Sequence, residues 1–272
     1  MAVPKKVSER IVSALKPFQA VLQQQKARDV SEADTVTIVK DLLSEVFGYD
    51  KWAELTSEHS IRGTYCDLAV KIDSKLAFLL EVKAIGIELK DSHVKQAIDY
   101  AANQGCEWVV LTNSVDWRLY HVLFKKPIDK EEIAQFNLLN ANPKKDSDLE
   151  MLYLLTREGF TKSALAEYRD RKDATSRFML AAIILHSESV LSAIRRDIRR
   201  VSGLLVAPEI IDRMLRDEVI KRETIEGADA DAASRRVQKS ADKSILKGAD
   251  KDVPNSKAAD SEDGGGVAGL ES

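Results

Sequence analysis

The sequence predicts an α/β core, in which a mixed β-sheet is flanked by helices, followed by an all-α region and a disordered C-terminal tail. Alternating and continuous apolar runs between residues 57 and 124 indicate strands, with one helical pattern among them. After Pro127 the pattern changes to capped helices, and from Gly227 onward there are no aromatic residues. The expected divisions are an N-terminal helix at 1–30, the α/β core at 31–126, a helical region at 127–226 and the tail at 227–272.

Two helices are predicted before the sheet. The first is an amphipathic pattern over residues 7–28, in which Pro17 is expected to cause a kink. The second begins after Ser31, a residue type that caps helices, with Asp34 at the capping-box position. Gly48 follows it, where a left-handed C-terminal cap is expected.

A β-hairpin is predicted at the centre of the sheet. The stretch 65–72 runs into three polar residues, 73–75, which are followed by a nearly continuous apolar run, 76–82. Such a run is typical of a strand that is covered on both faces. A first strand is expected at 57–61, before the hairpin, and the elements expected after the hairpin are a helix capped by Ser92 and two strands, at 108–112 and 117–124.

The register of this hairpin would place two carboxylates side by side. If Ile72 pairs with Leu76, Asp67 lies directly opposite Glu81, because each is five residues from its pairing position. Opposed side chains on one face have Cβ atoms about 5 Å apart. Lys83 lies on the same face as Glu81, since side chains alternate along a strand.

Two like charges held this closely at the end of a buried strand must be neutralised by a proton, a lysine or a cation. Mg²⁺, or Mn²⁺ in its place, is a suitable cation, because hard ions take carboxylate, water and phosphate oxygens as ligands. Such an ion can activate water and stabilise charge on a phosphoryl group. The alternative interpretation of Asp67, Glu81 and Lys83 is a cross-strand salt bridge on a solvated face.

The series Asp67, Glu81-Val-Lys83 and Gln96 resembles the PD-(D/E)xK nuclease superfamily. The sequence from about residue 31 to residue 124 is similar to the N-terminal nuclease domain of type I restriction enzyme R subunits. The resemblance implies a restriction-endonuclease-like core in which Asp67 and Glu81 bind the metal. It also implies that Lys83 helps to position the attacking water and that Gln96 organises the site and the bound DNA.

Two features of the motif need comment. Cys66, and not proline, precedes Asp67, which is a departure from the motif. Some members of the superfamily add an acidic residue from the first helix of the core, and the resemblance favours Glu32 for this role, with Glu45 as the alternative.

The resulting function hypothesis is Mg²⁺-dependent hydrolysis of DNA phosphodiester bonds. The chain contains no G-x-x-x-x-G-K-[ST] loop, so we expect it to bind no ATP itself and to lack a motor. ATP-dependent restriction would then require other subunits. One alternative is a non-catalytic DNA-binding or interaction module of a defence or repair complex, and another is an RNA-directed nuclease of the same superfamily.

A net charge of −3 argues against strong, indiscriminate binding to nucleic acid, because phosphate affinity comes from clustered Lys and Arg. Contacts with DNA are therefore expected to be local. Near the proposed site the candidates are Lys90, Lys95 and Tyr100. Further along the chain, Arg195, Arg196, Arg199 and Arg200 lie on one predicted helix, for which a solvated helix face is the alternative interpretation. The helical region is also a candidate surface for a protein partner.

Cysteine usage and the N-terminus set the expected compartment. Cys66 and Cys106 are too few for a disulfide framework or a zinc site, and the four histidines are scattered. The start of the chain has no apolar run typical of a secretory signal, and no membrane span is expected. The sequence therefore predicts a cytoplasmic protein.

Overall fold

The computed structural model describes residues 2–61 and 64–249. Within it the chain divides into two compact units, Met1–Lys172 and Asp173–Ser272. We describe each unit by itself.

The first unit contains a six-stranded sheet whose strands follow one another in chain order. All neighbouring strands are antiparallel except the third and fourth, which are parallel and are joined by a helix that crosses the sheet. The strands are β1 (Leu55–Ile61), β2 (Thr64–Ile72), β3 (Lys75–Val82), β4 (Trp108–Thr112), β5 (Asp116–Leu123) and β6 (Asp129–Asn137).

Helices cover both faces of this sheet. The helices of the unit are α1 (Lys5–Ala27), α2 (Glu32–Glu45), α3 (Asp91–Gln104), α4 (Asp146–Tyr153), α5 (Arg157–Thr161) and α6 (Ala164–Ala174). On one face, α3 packs on Leu79 and Val109, whereas α1 and α2 share a core on the other face with Leu80, Val110 and Trp117. We call these the α3 face and the α1/α2 face. The predicted α/β class, with a mixed sheet between helices and an all-α region after it, is confirmed.

The predicted order of three strands, a helix and two strands is confirmed, but the prediction missed β6. The expected boundary at 126 is therefore wrong, because the sheet continues to Asn137. A register shift between Leu119 and Tyr120 interrupts the alternation of β6, so that the consecutive residues Ile133 and Ala134 are both buried. This irregularity hid the period-two pattern from which a strand would have been recognised.

The hairpin turn also differs from the prediction. Ile72 pairs with Lys75, and the turn has two residues, Asp73 and Ser74, with φ of 48° and 64°. Two positive φ angles are typical of a type I′ turn, which matches the twist of the flanking strands. Two residues after Lys75, a bulge leaves Ala77 without an opposite residue.

The helices near the N-terminus largely follow the prediction. α1 continues through Pro17, and its buried residues include Ile11 and Leu15. Ser31 caps α2 by accepting a hydrogen bond from the Asp34 N–H at 3.2 Å. Gly48 has a left-handed φ of 84°, as expected.

The start of α3 was predicted wrongly. The helix begins at Asp91, so that Lys90 and not Ser92 occupies the cap position. The imidazole of His93 accepts a hydrogen bond from the Lys90 N–H, which is the part that the third helical residue plays in a capping box.

The second unit is helical, as predicted. Its helices are α7 (Arg177–His186), α8 (Glu188–Ser202), α9 (Pro208–Met214), α10 (Arg222–Ile225) and α11 (Ala228–Ala249), with a π-helical turn at Leu215–Val219. Among the described residues, no single helix has both the length and the apolar composition of a membrane span. Helices α7 and α8 reach that length and composition only when they are taken together, and they are bent by 71° at their junction.

The predicted disordered tail is wrong over Ala228–Ala249, which form α11. Alanine and basic residues favour helix even without aromatic side chains. Ala233 packs against Met179 and Ala182 of α7, so the small side chains allow a close helix contact. Residues 250–272 lie outside the described part of the chain.

Candidate active site

The hairpin brings Asp67 and Glu81 together at one end of the sheet. Leu68 pairs with Leu80, and the next step in this register places Asp67 level with Glu81. The Val82 N–H donates a hydrogen bond of 2.7 Å to Oδ2 of Asp67, which fixes this carboxylate against β3. The prediction that Asp67 lies opposite Glu81 therefore agrees with the observed register, although the predicted length of the loop was wrong.

Lys83 lies beside this acidic pair. Its Nζ is 2.7 Å from Oε1 of Glu81, and both side chains are largely buried, with 21% and 13% exposure. The Lys83 N–H also donates to the Thr112 carbonyl at 2.8 Å, which extends the pairing of β3 and β4 to this residue. The ammonium is therefore held where it partly neutralises the carboxylates.

Glu32 reaches the same group from the N-terminus of α2. Its Oε2 is 3.5 Å from Nζ of Lys83. Thr35, one turn later, is fully buried and accepts a hydrogen bond of 3.1 Å from the Ile85 N–H, which ties α2 to the chain just after β3. The sequence indicated Glu32 but missed the positioning role of Thr35. The alternative, Glu45, is exposed at the opposite end of α2.

The electrostatics reflect this crowding. Burial raises the pKa of Glu81; the hydrogen bond from Lys83 opposes that shift, and the negative charge of Asp67 reinforces it. Burial alone would lower the pKa of Lys83, but the hydrogen bond with Glu81 and the charges of Glu81, Glu32 and Asp67 raise it overall. Lys83 is therefore a firmly charged ammonium, and Glu81 is a carboxylate that a second cation would stabilise.

Asp67 and Glu81 offer hard oxygen donors, which is the ligand type that Mg²⁺ and Mn²⁺ take in pairs with water and phosphate. Burial raises the pKa of Glu81, and the nearby charge of Asp67 adds to that shift, as expected for two carboxylates that share a site. Among residues 2–61 and 64–249, however, no three His, Cys, Asp or Glu side chains converge into a group that could hold a metal ion. The donor set thus fits a two-carboxylate Mg²⁺ site, with Glu32 engaged by Lys83.

Cys66 lies next to the carboxylates and is almost fully buried. Its thiol donates to the Leu80 carbonyl at 2.8 Å. Burial, and then the charges of Glu81 and Asp67, raise its pKa to about 12. The residue that replaces the motif proline is therefore a neutral thiol inside the hairpin.

The predicted DNA-contact residues on and near α3 differ in exposure. Gln96 and Lys95 are exposed and, together with the nearly buried Tyr100, line a surface hollow of about 350 Å³. Burial raises the pKa of Tyr100. Lys90 is exposed just before the helix. The functional roles of these four residues stay predictions.

In the second unit, the arginine cluster lies on α8 as predicted, but its members differ. Arg195 is partly buried and donates from Nε to the Val206 carbonyl at 2.9 Å. Arg200 lies 3.2 Å from Asp197, whereas Arg196 and Arg199 are exposed. Any contact of this helix with nucleic acid stays a prediction.

Comparison with known proteins identifies part of the first unit. Residues 38–137 match the family model of the type I restriction enzyme R protein N terminus. This match confirms the predicted resemblance to the N-terminal domain of type I restriction enzyme R subunits and supports a nuclease-related role for the segment. A search of curated proteins found no match.

One solved structure, described as a cryo-EM structure of a DrdV–DNA complex, is 14% identical with a TM-score of 0.35. The match covers 90% of this chain and 27% of that one, so this chain spans about a quarter of the length of that protein.

Proposed function

Starting from the match of residues 38–137 to the type I restriction R-protein N terminus, we propose that the first unit is a Mg²⁺-dependent PD-(D/E)xK nuclease that hydrolyses phosphodiester bonds in DNA. Mn²⁺ is expected to replace Mg²⁺. The matched segment runs from the middle of α2 to the end of β6; it includes Asp67, Glu81, Lys83 and Gln96 and begins after Glu32.

The observation that carries the proposal is the pair of partly buried carboxylates with an ammonium beside it. Glu81 is 13% exposed, faces Asp67 and has a raised pKa. An arrangement of this kind is costly in a folded protein unless it binds something, because desolvation and repulsion act together. A ligand with two positive charges removes both penalties.

In this proposal Asp67, Glu81 and Lys83 have roles that fit their positions, and the role of Gln96 is the one that the resemblance implies. Asp67, fixed by the Val82 N–H, and Glu81 would hold the ion. When bound, Mg²⁺ supplies Lewis-acid polarisation of the phosphoryl group and a more acidic water. Lys83 keeps its proton, so it donates hydrogen bonds to the attacking water and to the charge that develops on phosphate. Gln96 orients the site from α3.

The test is nicking of supercoiled plasmid by the full chain, with Mg²⁺, Mn²⁺ or chelator. We expect cleavage that chelator abolishes and that Glu81→Gln lowers at least 100-fold, as for loss of a group that acts on the transition state. Glu107→Gln is the matched control, because Glu107 is exposed before β4, at the opposite end of that strand from the site. Equal cleavage by both variants would rule out the assignment of Glu81.

A specific observation favours a second candidate, a DNA-binding module without catalysis. Among the described residues, no third acidic or histidine ligand joins Asp67 and Glu81. In addition, the ammonium of Lys83 already supplies a positive charge next to Glu81. This candidate predicts duplex binding without cleavage of double-stranded DNA, single-stranded DNA or RNA under either ion. Calorimetric titration with Mn²⁺ separates the two, because a catalytic site must take the ion and a pure ion pair need not.

A further inference from the structure

A row of directly paired residues across neighbouring strands connects the proposed site with a second set of charged residues. In the register of the sheet, Glu81 is level with Leu111, Leu111 with Arg118, and Arg118 with Gln135. All four side chains belong to the α3 face, because Leu111 packs in its core. Neighbouring strands are about 4.8 Å apart, so Arg118 begins about 10 Å from Glu81. That distance is about three base steps along one DNA strand.

Arg118 does not stand alone on this face. Lys130 of β6 extends across the ring of Tyr120, with Nζ 4.6 Å from the ring centre, and ends 2.8 Å from Oδ2 of Asp91. Arg118 reaches Oδ1 of the same carboxylate at 3.8 Å. Asp91 is thus the shared counterion of two cations that come from neighbouring strands.

The two cations are less exposed to solvent than the carboxylate that they share. Arg118 and Lys130 are only 28% and 20% exposed, whereas Asp91 is 73% exposed at the first residue of α3. The cations are therefore held by the sheet, and the carboxylate lies on their solvent side. The hydrogen bond from Lys130 holds the pKa of Asp91 below its usual range despite this exposure.

A further polar group points into the cluster. The hydroxyl of Tyr120 is buried beside Arg118 without a hydrogen bond of good geometry among the described residues. A buried hydroxyl of this kind normally has a partner. Next to Arg118, a hollow of about 450 Å³ opens between the chain at Glu88 and the ends of β5 and β6.

Resting on the proposed function, we propose that Arg118 and Lys130 bind a backbone phosphate of the DNA strand that enters the site, and that Asp91 occupies this position until the phosphate displaces it. Glu132 also lies close to Tyr120, so the group of Arg118, Lys130, Asp91 and Glu132 has no net charge in the free protein. Displacement of Asp91 leaves a net positive charge to meet the phosphate. A phosphate has the charge and the acceptor oxygens to use both cations.

This arrangement predicts opposite effects for two substitutions within one ion-pair cluster. Arg118→Gln removes a phosphate contact, so DNA binding weakens about tenfold and the slope of log K against log salt falls by about 0.9. Asp91→Asn removes the competitor, so binding becomes several-fold tighter. If the cluster only supported the fold, both substitutions would weaken binding or leave it unchanged.

The experiment is fluorescence-anisotropy titration of a labelled 20-bp duplex in chelator, with every variant placed in a Glu81→Gln background. No cleavage then contributes, so failure of the nuclease proposal does not affect the result. Lys5→Gln and Glu9→Gln are matched controls, because this exposed pair is 3.8 Å apart and lies in the first turns of α1, on the α1/α2 face of the sheet. Circular dichroism checks that each variant is folded.

Weaker binding by folded Arg118→Gln together with tighter binding by Asp91→Asn, and unchanged binding by both controls, supports the phosphate position. Weaker binding by both Asp91→Asn and Arg118→Gln would overturn it, and so would equal affinity of all variants.

Discussion

The ion pair between Lys83 and Glu81 makes a sharp prediction when Lys83 is replaced by methionine. The substitution keeps most of the side-chain volume and removes the only ammonium in contact with Glu81 among the described residues. Glu81 then faces Asp67 without compensation. At 2.7 Å and an effective dielectric constant of about 20, the lost attraction is about 6 kcal/mol before desolvation is counted.

Desolvation of both groups offsets much of this attraction. Removal of one partner from a fully buried pair typically costs about 3–5 kcal/mol. Since Lys83 keeps 21% exposure and Glu81 can take up a proton, we expect the free energy of unfolding to fall by about 2 kcal/mol at pH 7. For a unit of this size the melting temperature should fall by about 4–8 °C. The double variant with Glu81→Gln should recover most of the loss, because no unpaired charge remains.

Tryptophan fluorescence suits the measurement, because Trp52, Trp108 and Trp117 are the only tryptophans and all belong to the first unit. Urea unfolding is followed with and without Mg²⁺. We expect Mg²⁺ to stabilise Lys83→Met more than the wild type, since the ion then replaces the missing positive charge, and to have little effect on the double variant.

The control for this experiment is Lys125→Met, which removes an exposed ion pair and should change stability by less than about 0.5 kcal/mol. The reasoning is refuted if Lys83→Met is as stable as this control. It is equally refuted if Mg²⁺ stabilises Lys83→Met and the double variant to the same extent, because the ion would then bind elsewhere.

Three other predictions concern the rest of the first unit. Arg10→Met should lower the free energy of unfolding, measured by urea unfolding, by about 2 kcal/mol, because Arg10 binds both carboxylate oxygens of Glu158 at 2.6 and 2.7 Å. Lys5→Met removes an exposed ion pair and should have almost no effect. Burial alone would raise the pKa of Glu158, but the hydrogen bond from Arg10 lowers it overall. The stabilisation by this ion pair should therefore be present above pH 4.5 and be lost as the pH falls through the lowered pKa. A pH series in which Glu158→Gln loses stability in parallel with the wild type would contradict this prediction. Burial raises the pKa of Cys66 to about 12 and of Cys106 to about 11, so neither thiol should react with a thiol reagent at pH 8 until the protein unfolds.

The sequence was sufficient to predict the features around the candidate site that depend on local pattern. The apolar run of β3 ends at Glu81, the cap of α2 is the expected Ser31, and both features are local. The contact of Glu32 with Lys83 is not local. It depends on the hydrogen bond from the Ile85 N–H to Thr35, which joins residues fifty positions apart, and no periodicity in either segment encodes it.

Elements that depend on distant packing were predicted less well. β6 is polar on one side and carries a bulge, so only its pairing with β5 shows it to be a strand. Helix α11 has few large apolar side chains, and its order depends on the contact of small alanines with α7. In the same way, the shared binding of Asp91 by Arg118 and Lys130 joins three elements, and their spacing along the chain gave no signal of it.

The hairpin shows why the facing of the two acids survived a wrong prediction of the loop. The predicted connection is a three-residue loop without a bulge. The observed connection is a two-residue turn followed by a one-residue bulge in β3. The two connections shift β3 by the same amount relative to β2. Both place Asp67 opposite Glu81, and the structure has the second solution, with Ala77 as the extra residue. Without that bulge the tight turn would place Asp67 opposite Leu80, and the carboxylates would point to opposite faces of the sheet. The bulge at Ala77, far from the carboxylates along the strand, is therefore the feature that keeps them on one face.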